Sequence, residues 1–506
     1  MFLILYPIKD IDFTDGYYDM NSYKSIIKST GLVGTVQLFK IVFGIIQNKV
    51  LALLLGASGF GIWGLFYSFS TTISPFCTFG IDQASVREIS KNSDDRVHVS
   101  QTIWLVRVLV LIFTTIACVS IIIFRKEISV FIFGTTDNSQ GIIFVSIAII
   151  FTSLYQVNAS IFNGLRDLKR LSISQITGII FASVTAILFV VFMGIKGIPF
   201  FILISAIVNF LVSDFFLRKL KMKSIRPGYT FFKEESEILF KIGAGIAYSA
   251  IIVAASTYLI QIYIRKNLGI DIVGIYNASF TISNVYVGIL LTAMGVDLMP
   301  RLAKLEGDRS ALNQAVNEQT ELGVLVSSIG VTGVILFAPI ILRILYSSEF
   351  SIGVDIIRWQ ILGVALRVLS FPLTYCLLVR IKTIKYVIVQ TVAWVGNYVF
   401  LILLVGTFGL EALGLNYFVA YLIYMFILYS FNRNDVRFSK KTMYVFCIAW
   451  LLILSTWLIT RYIPQPYNYV GGTFVILVNI AWIIYYLNKS MNISIINEIR
   501  KRIQKK

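Results

Sequence analysis

Residues 55–63, LGASGFGIW, return as residues 268–276, LGIDIVGIY, at an offset of 213 positions. The same offset carries Phe133 in VFIFG (130–134) onto Tyr346 in RILYS (343–347), and the loop of Lys169 onto the loop of Lys382. One short motif would carry little weight, but three matches in a single register indicate a duplicated unit.

Around these motifs the chain is apolar: 57% of its 506 residues are hydrophobic and the mean hydropathy is +0.81. A helix needs roughly 20 apolar residues to cross the hydrocarbon, so about fourteen crossings would use nearly all of that fraction. Runs bounded by charge, Gly, Pro or Asn place them near 25–54, 60–85, 99–124, 140–163, 172–194, 198–217, 238–264, 273–298, 314–342, 354–379, 385–406, 412–431, 442–460 and 470–488. The expected fold is an all-α polytopic membrane protein with six crossings per repeat and two more beyond the duplication. An even number per repeat leaves both copies facing the same way, related by an axis along the membrane normal, with any cargo at their interface.

Little chain is left for a soluble catalytic domain. Cys77, Cys118, Cys376 and Cys447 lie in or beside apolar runs without metal-ligand spacing, and His98 is the lone histidine. Metal and histidine chemistry therefore have almost no material, and no GxxxxGK[ST] phosphate loop occurs. No enzyme activity and no cofactor are expected. The net charge of +18 falls between the apolar runs, where it reads as a topology signal and not as nucleic-acid binding. Alternate connections, with the ends of the chain, hold 31 lysines and arginines against seven on the opposite side: Arg125, Lys126, Lys196, Arg265, Lys266, Arg343 and Arg461. That asymmetry places both termini in the cytoplasm.

The expected organisation is a tail or start-site artefact at 1–19, with translation beginning at Met1 or Met20, then an N-lobe at 20–217. A cytoplasmic linker follows at 218–237, a C-lobe at 238–431, the two added helices at 432–489 and a basic cytoplasmic tail at 490–506.

Lys40 and Arg367 each stand near the middle of a crossing. A mid-bilayer cation is costly unless it faces protein or water, which marks both as candidates for contacting an anionic group, one per repeat. Polar stripes at helical period accompany them: Tyr67, Thr71, Ser74, Thr78 and Asp82 in the second crossing, and Asn277, Thr281, Asn284, Gly288, Thr292 and Gly295 in the eighth. The first adds Thr30, Gly34, Gln37, Gly44 and Asn48. Such stripes serve either helix packing or the lining of a water-filled cavity. Gln37 and Asn284 join the candidate substrate contacts. Arg107 and Arg265 are second-rank candidates because cations nearer a helix end also snorkel, and Arg358 is expected to reach outward. Asp82 and Asp297 are candidate ion-coupling carboxylates, with Asp297 able to pair with Arg301 one turn on.

SIIKSTGLVG (25–34), NKVLALLLGASGFGIW (48–63), FNGLRDLKRLSIS (162–174), VGIYNASFTIS (273–283), MPRLAKL (299–305) and ILRILYSSEF (341–350) resemble bacterial oligosaccharide flippases. They are most similar to the O-antigen or capsule-unit translocases in the polysaccharide branch of the multidrug/oligosaccharidyl-lipid/polysaccharide exporter superfamily. The resemblance runs from about residue 20 to 490 and implies two six-helix lobes in a V around an alternating-access cavity, in the bacterial inner membrane. It also implies undecaprenyl-pyrophosphate-linked oligosaccharide as cargo, membrane lipids and other polysaccharide assembly proteins as partners, and cavity cations that bind pyrophosphate or acidic sugars. Lys40 and Arg367 are the positions to which that role carries over.

Three alternatives stay open. A flippase for the lipid-linked peptidoglycan precursor and an ion-coupled multidrug antiporter would share the architecture. A membrane polysaccharide polymerase ranks below both, because the outward connections here are short.

Overall fold

The computed structural model describes residues 20–220, 225–285 and 307–490 apart from 381–382, with isolated positions between 286 and 306. Among the described residues every regular element is helical, as a bilayer requires of a chain that must satisfy its own backbone hydrogen bonds. The helices are α1 (Met20–Thr78), α2 (Ile81–Lys91), α3 (Arg96–Ile123), α4 (Arg125–Phe133), α5 (Ser139–Gly164), α6 (Leu168–Met193) and α7 (Ile198–Arg218) in the first half. The second half has α8 (Tyr229–Leu268), α9 (Ile270–Phe280), α10 (Arg309–Leu345), α11 (Val354–Val379), α12 (Thr383–Phe408) and α13 (Ala412–Asn432), followed by α14 (Lys440–Tyr462) and α15 (Tyr467–Ser490).

Ten helical stretches among the described residues are long and apolar enough to cross a membrane, and some of them, such as Leu168–Arg218, contain two successive helices. The expected crossings from 99–124 onward each fall on a separate helix, the eighth being described only in part. The first two lie in α1, which breaks at Gly56 with φ +64°, a conformation glycine adopts at little cost. The second expected crossing does not run unbroken to Asp82. Phe79 and Gly80 both have positive φ just after Pro75, so Asp82 opens a new helix and leaves the angular register of Tyr67 and Thr71.

The two halves meet where the repeated motif lies. A methyl carbon added to Gly61 would stand 2.2 Å from the carbonyl oxygen of Ile270, and one added to Gly274 would stand 2.1 Å from that of Ala57. These four positions are two pairs of repeat equivalents, so the duplicated motif packs against itself. One apolar core spans both halves there, joining Leu51, Phe60 and Phe66 to Val273, Tyr276, Tyr346 and Phe350. Away from this end the cores separate: one belongs to the first half and the start of α8, the other to the second half. Two bodies that share a core at one end and hold separate cores at the other form a V.

Helix α8 bridges the arms. Near its start Gly243 packs on the backbone of Phe79 and Gly80, Phe240 meets Phe79 with ring centroids 6.3 Å apart, and Thr102 donates to Glu235 Oε1 at 3.2 Å. Further along, its Tyr248 hydroxyl lies 2.9 Å from Thr391 Oγ1 on α12. The first part of α8 thus packs on the first half although sequence offset assigns the helix to the second. The added pair α14 and α15 is fastened to α10: Glu321 accepts from Thr442 Oγ1 at 2.8 Å and from the Tyr486 hydroxyl at 2.9 Å.

Candidate functional site

Lys40 lies on the first part of α1 and is exposed. Tyr67, 53% exposed, and Thr71, one turn on and also exposed, lie on the same helix beyond its break; these are positions at which the polar stripes predict a chamber lining. Lys40 makes no ion pair or hydrogen bond to a described residue.

Arg367 occupies the middle of α11, half-buried. It faces the phenols of Tyr417, Tyr421 and Tyr424, three side chains on one face of α13 whose rings follow each other at centroid distances of 4.7 Å and 5.4 Å. Among the described residues no carboxylate pairs with Arg367. Neutral hydroxyls orient a guanidinium but leave its charge for a counter-ion to neutralise. The tyrosines escaped the sequence reading. Their spacing of four and then three residues was legible as one helical face, but aromatic residues at that spacing in an apolar run usually only pack.

The other candidates are engaged in holding helices together. Arg107 donates through Nη2 to Asp214 Oδ1 and to Asn158 Oδ1, each at 2.7 Å, and Asp214 also receives Arg218 Nε at 2.7 Å. This network, centred on the buried Asp214, ties α3, α5 and α7. Arg265 donates to the carbonyl of Phe131 at 2.7 Å at the closed end of the V. Asn284, buried in a π-helical turn spanning 281–285, donates to Ser283 Oγ at 3.0 Å, and Ser283 donates to Gln360 Oε1 at 2.7 Å, which links that turn to α11. Asn277 of the same stripe lies against Gly64, where an added methyl carbon would meet its amide at 2.0 Å. Asn277 and Asn284 of the eighth-crossing stripe therefore serve helix packing.

Asp82 is buried at the start of α2, with Gln83 Nε2 at 3.4 Å. The side chain of Gln37, and Asp297 altogether, lie outside the described residues; Arg301 pairs with Glu318 at 2.5 Å. Arg358, expected to reach outward, is instead held inward. Its side chain is 11% exposed and bound to Asp355 at 3.1 Å, because α10 offers it the carbonyl of Ile335.

Lys40 in one half and Arg367 in the other thus stand near mid-crossing without a described acid partner, in a V closed at one end. Such an arrangement can receive an anionic group and exchange its contacts for those of water.

The comparisons with known proteins agree with this architecture. The chain is 20% identical over 411 residues to the "Lipid III flippase" of Escherichia coli (strain K12), covering 79% of this chain and 96% of that protein, and the match to the Shigella flexneri protein of the same name has the same figures. Among solved structures, a lipid II flippase in an inward closed conformation superposes with a TM-score of 0.69 at 16% identity, over 90% of this chain and 98% of that one. An inward-facing multidrug resistance MATE family transporter of the MOP superfamily gives 0.66 at 15%, over 81% and 96%. At these identities the structures establish a shared fold. The model of the polysaccharide biosynthesis protein family matches residues 26–306, more than half of the chain, and the chain belongs to that family.

Proposed function

We propose that this protein is a flippase that carries lipid-linked oligosaccharide from the cytoplasmic to the outer leaflet of the bacterial inner membrane by alternating access, the cargo being O-antigen or capsule repeat units on undecaprenyl pyrophosphate. The single observation that carries the reading is Arg367, set at mid-crossing and braced by Tyr417, Tyr421 and Tyr424 with no carboxylate partner described. Lys40 in the other half supports it. A sugar pyrophosphate cannot enter hydrocarbon without losing its water. A guanidinium supplies paired charge-assisted hydrogen bonds to phosphate oxygens, while the polyprenyl tail stays in lipid. No bond is made or broken, in keeping with relatives named as flippases and transporters.

With the cation-rich connections in the cytoplasm, the closed end of the V faces outward and the arms part toward the cytoplasm, where the cargo is assembled. The curated relatives favour a lipid-linked cargo over a drug. A drug antiporter would call for a free carboxylate in the chamber; Asp214 is spent on Arg107 and Arg218, which leaves Asp82, buried beside Gln83, as the acid that reading would use.

The test is surface-polysaccharide output in cells carrying Lys40→Ala with Arg367→Ala, normalised to protein in the membrane. Loss of output supports the reading, and unchanged output discards it. Rescue of a strain lacking its peptidoglycan-precursor flippase, without rescue of surface polysaccharide, would instead identify the peptidoglycan precursor as the cargo.

A further inference from the structure

At the closed end two cations cross the seam in opposite directions, and each ends on the C-terminus of a helix in the other half. Lys49, on α1, donates to the carbonyl of Arg343 at 3.2 Å and to that of Tyr346, at the end of α10. Arg265, on the last turn of α8, donates to the carbonyl of Phe131 at 2.7 Å, at the end of α4. An α-helix carries partial negative charge on its last carbonyls, so each cation sits where a helix end of the other half attracts it. The contacts are repeat-related. Phe131 moved by the repeat offset falls on position 344, between the two acceptors of Lys49, and Lys49 moved likewise falls on position 262, one helical turn from Arg265. A third contact has the opposite sign: Glu349 accepts from the backbone N–H of Ala57 at 3.1 Å, where α1 restarts after Gly56.

We propose that Lys49 and Arg265 form a reciprocal latch on the closed end, each capping a helix of the opposite half, and that opening this end requires both caps to break. This gives Arg265 a part in the conformational cycle distinct from cargo binding. It does not rest on the identity of the cargo, only on a chain that opens alternately at its two ends. The latch is weak by design. One cation on one helix end shifts an equilibrium by about two- to fivefold, enough to hold a seam whose packing is already complete and still release it in each cycle.

The test uses full-length protein carrying Cys447→Ser, labelled by a membrane-impermeant maleimide without added cargo. Ala57→Cys reports the closed end, where Ala57 is 8% exposed, and Thr71→Cys reports the chamber, labelled in inverted vesicles. Lys49→Gln and Arg265→Gln are each expected to raise Ala57→Cys labelling from outside about two- to fivefold, with a larger rise in the double variant and a fall at Thr71→Cys. Lys49→Arg and Arg265→Lys should leave both rates near the starting values, as should Lys266→Gln, whose lysine is exposed beside the latch. Unchanged labelling in the double variant overturns the proposal. So does a rise at both reporters together, which signals general loosening. Because no cargo is present, failure here leaves the flippase assignment standing, and failure of that assignment leaves the latch standing.

Discussion

Gly61 of the first repeat and Gly274 of the second lie back to back across the closed end, each leaving space for the other's main chain and none for a methyl group. In a helix interior, replacing glycine by alanine normally stabilises by about 1 kcal/mol. Here the order should reverse. Gly61→Ala or Gly274→Ala would drive a carbon into a carbonyl oxygen, so surface-polysaccharide output per molecule in the membrane should fall at least about tenfold, a barrier of roughly 1.4 kcal/mol or more. Gly330→Ala, at a site with nothing within 4 Å, is the matched control and should leave output unchanged.

Arg107 and Asp214 offer a separation of structure from transport. Asp214→Ala strands the half-buried Arg107 and should lower stability by about 3–5 kcal/mol, read as thermal unfolding in detergent. Replacing both by leucine removes the orphaned charge and should recover most of that loss. If the double variant folds and transports, Arg107 is wholly a structural cation; if it folds and fails to transport, Arg107 also touches cargo.

The phenols beside Arg367 can be tested without removing the charge. Tyr417→Phe keeps the tilted ring contact with Tyr421 and deletes one oxygen beside the guanidinium. Output should fall less than in Arg367→Ala, while Arg367→Lys, which keeps charge but loses the forked donor geometry of the guanidinium, should fall between the two. Equal output across the three variants would remove the phenol cluster from the account.

Glu321 anchors the C-terminal helix pair. Glu321→Ala takes the carboxylate partner from the Tyr486 hydroxyl and from Lys441, which lies 3.5 Å away. A buried orphaned donor costs about 1–3 kcal/mol. The expected outcome is faster protease cleavage between α13 and α14 with the remaining helices intact, scored by fragment size.

The parts of this fold that were legible in the sequence are those that local pattern controls. Apolar run length placed the crossings, and the recurrence of 55–63 at 268–276 revealed the duplication and marked the stretch that packs on itself. What stayed hidden depends on contacts distant in the chain. Arg107 looked like a snorkelling cation because its partner is 107 positions away, and Arg358 looked outward-facing because the Ile335 carbonyl that turns it inward belongs to another helix. The break after Thr78 was signalled by Pro75 and Gly80, but a kinked membrane helix and two successive helices share that signal. The part played by Lys49 stayed hidden because its acceptors are main-chain carbonyls, which no sequence pattern displays.

The joint at Gly61 and Gly274 has a wider implication. Its mating surfaces are peptide groups, and its shape derives from two missing side chains. Peptide groups are the same whatever residues surround them, so substitution elsewhere can wander far while the hinge-plate keeps its contour. A transporter built on such a joint is free to rewrite the walls of its chamber for new cargo without relearning how to shut.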